Sequence, residues 1–123
     1  MSVPVLKQGD VLIASIQAAL SDRDLIELRD DLAERIGVHR ARGVVIDVTA
    51  LDVLDSFGTR TIRGIAYTAK LRGAETVVVG IQPEVAFAMV ELGLSLDGIA
   101  TALDLEEGLG LLRSRRGNGG LAD

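Results

Sequence analysis

Two runs in the chain, "VLIASI" (11–16) and "GVVIDV" (43–48), are almost wholly apolar, and each is followed by a stretch with helical spacing. A continuous apolar run of this length is the signature of a strand covered on both faces, as in a parallel sheet between helices. In "SDRDLIELRDDLAERIGVHR", Leu25, Leu28, Leu32 and Ile36 fall on one helical face. Ser21 stands where an N-cap is needed, and Asp22 and Asp24 complement the positive end of the helix dipole. From Ser56 to about Leu71 a second helical face is marked by Ile62, Ile65, Ala66 and Ala69, and Gly73 ends it. "ETVVVGI" reads as another buried strand. Pro83 opens a helix running to Leu92, with Gly93 beyond it. A short strand near "GIATA" and a last helix from Asp104, aligning Leu105, Leu109 and Leu112, complete the pattern. Ahead of everything, "VPVLKQG" reads as a weaker edge strand. The expected fold is α/β: one domain over 1–116, a mixed sheet of about four or five strands packed with about four helices. The Gly-rich segment 117–123 is expected to be a flexible tail.

Composition narrows the function classes. With 123 residues, 48% of them apolar, the chain has room for one core. It has no Cys and a single His, His39, so disulfides, thiolate chemistry and a histidine metal cluster fall away. A net charge of −5, from 18 acids against 13 bases, argues against a nucleic-acid partner. One Tyr, two Phe and no Trp are too few for a base-stacking platform. No apolar run approaches a membrane span, and "MSVPVLKQGD" lacks the regions of a signal peptide, so no membrane partner and a cytoplasmic location are expected.

Several residues invite chemistry. Asp47 ends a buried strand, as the phosphoacceptor of a receiver domain does. The acidic pair that would hold magnesium is missing after "VLIASI", however, and no Lys follows the last strand. A structural Asp47 bonding a loop backbone is the better reading. Asp52 and Asp55, two carboxylates without further ligands, make a weak metal site and more naturally shape a turn and favour the next helix start. Ser56 could be a helix cap, a nucleophile or a hydroxyl modified by another protein. No G-x-S-x-G elbow surrounds it, and His39, the only imidazole, lies far off in the chain. "GLGLLRSRRG" lacks the preceding strand of a phosphate-binding fingerprint, and Arg113, Arg115 and Arg116 suit the negative end of a helix. "GIQPEVA" is a strand-to-helix turn, silent by itself. No cofactor is expected.

"VVIDVTALDVLDSFGTRTI" followed by "GAETVVVGIQPEVAFAMVELGL" resembles the STAS domains of anti-sigma-factor antagonists. The Asp-Ser pair at the helix start carries the likeness, and the Ser phosphorylated in that family matches Ser56. The "GIQPEVA…ELG" stretch is similar to the stressosome branch, made of RsbS-like scaffold antagonists and RsbR-like sensor co-antagonists. Sensor members carry an additional N-terminal domain, tend to have Thr at the position of Ser56, and have a second acceptor Thr in the helix after the "GIQPE" turn. Here there is no room for such a domain and "PEVAFAMVELG" holds no hydroxyl, which favours the scaffold type.

The resemblance implies a non-enzymatic switch. Unphosphorylated, the chain would sequester a serine/threonine kinase of the ATPase-related anti-sigma type, within a large assembly containing an RsbR-like paralogue. Phosphorylation of Ser56 would release the kinase. The expected partner surface is Asp52, Asp55, Ser56, Phe57, Gly58 and Thr59, with Gly58 keeping the approach to the hydroxyl open. Some of Leu51, Val53 and Leu54 are expected to be exposed there, and the chain to be at least a homodimer. A simple antagonist binding an anti-sigma factor directly is the alternative, and a small hydrolase using Ser56 is a third reading.

Overall fold

A strand pair opens the fold: β1 (Val5–Gln8) runs antiparallel to β2 (Val11–Ser15). From there strand and helix alternate: α1 (Asp22–His39), β3 (Gly43–Asp47), α2 (Ser56–Leu71), β4 (Glu75–Val79), α3 (Pro83–Glu91), β5 (Ala100–Ala102) and α4 (Leu105–Ala122). The computed structural model describes residues 3–122, those from 116 onward by backbone alone. The tail expected over 117–123 therefore lies outside the fully described residues. The strands lie in chain order β1-β2-β3-β4-β5, all but β1 parallel. The expected mixed α/β sheet is what forms.

The apolar runs are explained by what covers them. Strand side chains alternate between faces, so Leu12, Ala14, Val44, Ile46 and Val78 pack with Leu28, Leu32, Ile62 and Ile65 from α1 and α2. Val11, Ile13, Val45, Val77 and Val79 face the other way and meet Leu112 of α4. Each middle strand needs apolar residues at every position because both faces are roofed. Thr76, within β4, departs from this rule. It is buried, and its hydroxyl is the only such side-chain oxygen without a hydrogen-bond partner among the described residues.

The first helix shows how local chemistry sets its ends. The Ser21 hydroxyl accepts the Asp24 N–H at 3.1 Å, and the Asp24 carboxylate accepts the Ser21 N–H at 3.2 Å, a reciprocal capping box. At the other end Arg40 adopts φ 51, ψ 44, the left-handed region that costs an ordinary residue about 1–2 kcal/mol. Among the described residues it is the only non-glycine with positive φ.

Each parallel strand feeds a helix that returns along the sheet, so the loops after β2, β3 and β4 gather at one edge. That edge is where open α/β sheets carry their sites. No helix among the described residues is long and apolar enough to cross a membrane.

Candidate functional site

Ser56 lies at this edge, as the first residue of α2. The cap is its neighbour: Asp55 is extended (φ −85, ψ −177) and its carboxylate accepts the Gly58 N–H at 2.7 Å. Asp and Ser cap equally well in general. Here the charged acceptor takes the position, where its negative charge also meets the helix dipole. The Ser56 hydroxyl is thereby left exposed and without a hydrogen bond among the described residues. Of the three sequence options for Ser56, the cap is removed.

Asp52, Val53, Asp55 and Ser56 are exposed together, with Phe57 half-buried. Two residues expected on this surface turn inward. Thr59 is 0% exposed, and its hydroxyl donates to the Asp55 carbonyl at 2.9 Å. At the fourth helical position it points to the sheet, so it cannot meet a partner. Gly58 is also buried, and a Cβ there would sit 2.9 Å from Leu54 Cδ1 and 3.2 Å from Asp55 Oδ1. Its role is to let the preceding loop fold against the helix, not to open the approach to Ser56. Leu51 and Leu54 belong to the core, while Val53 is 67% exposed. Only one of those three apolar residues is offered to a partner.

Sequence reasoning missed the bracing of this loop. Asp47 Oδ1 accepts the Thr49 N–H at 2.9 Å and the Thr49 hydroxyl at 2.6 Å, the structural role expected of it. Gln82, from the "GIQPE" turn, donates its amide to the Thr49 carbonyl at 2.8 Å. Gly80 has φ 80, and a Cβ there would collide with the Thr49 side chain and lie 3.1 Å from its Cα. The turn before α3 thus presses on the loop that carries Asp52 to Asp55. Nothing in the spacing of Gly80 and Gln82 announced this. Beneath the loop, Leu20, Leu25, Leu54 and Ile62 line a half-open apolar cavity of about 80 Å³.

The arrangement supplies a free hydroxyl but no group to activate it. His39 is the last residue of α1, at the opposite edge of the sheet, so a Ser-His-acid triad is not assembled. Among the described residues no three His, Cys, Asp or Glu side chains are grouped to hold a metal ion. Replacing the cap, Asp55→Ala, should destabilise the fold by about 1 kcal/mol, measured by urea denaturation. The same substitution at Ser56 should change the stability by no more than about 0.5 kcal/mol, as expected for an exposed side chain without partners.

Comparison with known proteins adds a lineage to this geometry. Residues 2–108 match the family model described as STAS domain. A Ser-to-Glu variant of Moorella thermoacetica RsbS is 38% identical with a TM-score of 0.80, the match covering 93% of this chain and 97% of that one. A chain from the molecular architecture of the stressosome, a signal integration and transduction hub, is also 38% identical, with a TM-score of 0.76, covering 92% and 98%. The RsbT co-antagonist protein RsbRA of Bacillus subtilis is 28% identical over 109 residues, 87% of this chain but 38% of that protein. The chain thus spans well under half the length of that relative.

Proposed function

Because the chain belongs to the STAS domain family, we propose that it is a stressosome scaffold antagonist in stress signalling, switched by phosphorylation of Ser56. The observation that carries this reading is the Ser56 hydroxyl, exposed and unbonded at the first residue of α2. Likeness to RsbS across almost the whole chain supports the scaffold role. In its unmodified form the protein holds a serine/threonine kinase of the ATPase-related anti-sigma type against Asp52, Val53, Asp55, Ser56 and Phe57. ATP and magnesium belong to the kinase, and the setting is cytoplasmic.

The switch acts on binding, not folding. A phosphate on Ser56 carries about −1.5 to −2 charge and lies at the positive end of a helix, which accommodates anions. Arg60, one turn on, is exposed and has no ion pair among the described residues, so it can partly balance the new charge. Asp55 already occupies the Gly58 N–H, so the phosphate adds to an existing negative charge on the surface the kinase must cover. Repulsion and desolvation fall on the complex.

Co-expression with an RsbR-like paralogue tests the scaffold reading. The expected product is a particle of defined size that contains both chains and is absent when either is expressed alone, seen by light scattering and electron microscopy. A chain whose size does not change in the paralogue's presence would leave only the direct antagonist of an anti-sigma factor.

A further inference from the structure

The alternation of parallel strand and helix has an electrostatic consequence for the whole molecule. All four helices start at the edge that carries Ser56, and acids favour helix starts while bases favour helix ends. Asp22 and Asp24, Glu84, and Glu106 and Glu107 lie in first turns, and Asp55 caps α2. At the opposite edge stand His39 and Lys70 in last turns, with Arg40 and Arg72 as C-caps. Acids outnumber the bases Arg23 and Arg60 at the first edge, and the bases gather at the second beside Glu75 and Glu91, on a chain whose net charge is −5.

The basic edge is more than a set of helix ends. Arg40, Arg42 and Arg72 line one open cleft of about 610 Å³ between the ends of α1 and α2. All three are exposed, and none pairs with a carboxylate among the described residues. Of the acids nearby, Glu75 is engaged by Arg115 at 3.8 Å and Asp10 has its own interaction. Two features of the backbone accompany the cleft. Arg40 keeps a left-handed conformation that favours glycine. Gly37, within α1, leaves room beside it for the end of the Arg72 side chain.

We propose that this arginine cleft binds the acidic, Ser56-bearing edge of a second copy of the chain, so that copies associate head to tail. Two copies of net charge −5 repel in most orientations. Bringing the arginines of one against Asp52 and its neighbours on the next is the orientation in which opposite charges meet. Such an interface is heterologous: each copy keeps one used and one free surface, and growth continues unless the ring closes. The contact covers the edge that the kinase would occupy, so a second copy and the kinase compete for it. Self-association of the pure chain requires no kinase. A phosphate on Ser56 would add charge to the acidic edge and tighten it.

Sedimentation of the full chain tests this. In about 10 mM salt the average mass should rise with concentration, and in about 1 M salt it should return to monomer, as the Debye length falls from roughly 30 Å to 3 Å. Arg42→Glu combined with Arg72→Glu spoils the basic surface alone, and Asp52→Arg spoils the acidic one. Each variant, checked by circular dichroism for native folding, should associate at least tenfold more weakly than the native chain. Mixed one to one they should form a dimer that grows no further, because each retains the surface the other has lost. A mixture that stays monomeric, association indifferent to salt or to the arginine changes, or a native chain monomeric at low salt would overturn the proposal. So would saturable binding of inorganic phosphate in the cleft without any self-association, which would make it a small-anion site.

Discussion

Phosphate on Ser56 is expected to lower the affinity for the kinase about a hundredfold. If repulsion from Asp52 and Asp55 and the desolvation of a dianion together cost about 3 kcal/mol at the interface, the dissociation constant rises by roughly that factor. The fold itself should hardly notice, since the hydroxyl takes part in no hydrogen bond among the described residues. Ser56→Ala should bind the kinase as the native chain does and not be released by ATP. Ser56→Asp adds one charge without the tetrahedral oxygens and should weaken binding only in part. The neighbouring hydroxyls provide an internal control. Thr59 and Thr61 are 0% and 9% exposed and donate to the carbonyls of Asp55 and Phe57, so neither can reach a kinase active site while α2 is folded. Titration calorimetry with each form, and mass spectrometry of the phosphorylated product, give the answer. Phosphate found on Thr59, or ATP-dependent release of the kinase from Ser56→Ala, would show that the switch lies elsewhere.

Gly80→Ala should be the most damaging change at the site that touches no expected partner. A side chain at φ 80 is strained by about 1–2 kcal/mol, and its Cβ must also displace Thr49. Together these should cost about 2–4 kcal/mol, among the larger effects of a single substitution. Gln82→Ala removes only the hydrogen bond to the Thr49 carbonyl and should cost about 1 kcal/mol. If the "GIQPE" turn braces the loop carrying Asp52 and Asp55, both variants should also bind the kinase more weakly at temperatures where they remain folded. Urea denaturation reads the stability and calorimetry the binding. A Gly80→Ala protein as stable as the native one would mean that the two loops move apart freely.

The elements of this protein, and most of its core, were legible in the sequence because they depend on local geometry. Leu25, Leu28, Leu32 and Ile36 show a helical face by spacing alone, and all four are buried. The apolar runs of β3 and β4 predicted burial on both faces, and helices cover both. Ser56 at the start of α2 was visible in the same way, as the point where one periodicity yields to another.

Tertiary structure decided which neighbour of Ser56 caps the helix, since Asp and Ser are equivalent until the backbone at 55 takes its extended angles. It also decided that Thr59 turns inward and that Val53, not Leu51 or Leu54, faces solvent. A loop has no period from which such directions can be read. The contact of Gly80 and Gln82 with Thr49 arises because β3 and β4 pair with Asp47 beside Val79, which brings together loops about thirty residues apart. The arginine cleft likewise joins the end of α1, the end of α2 and the link into β3. Such approaches are set by how elements stack on the sheet, a property of the assembled fold that no single stretch of chain contains.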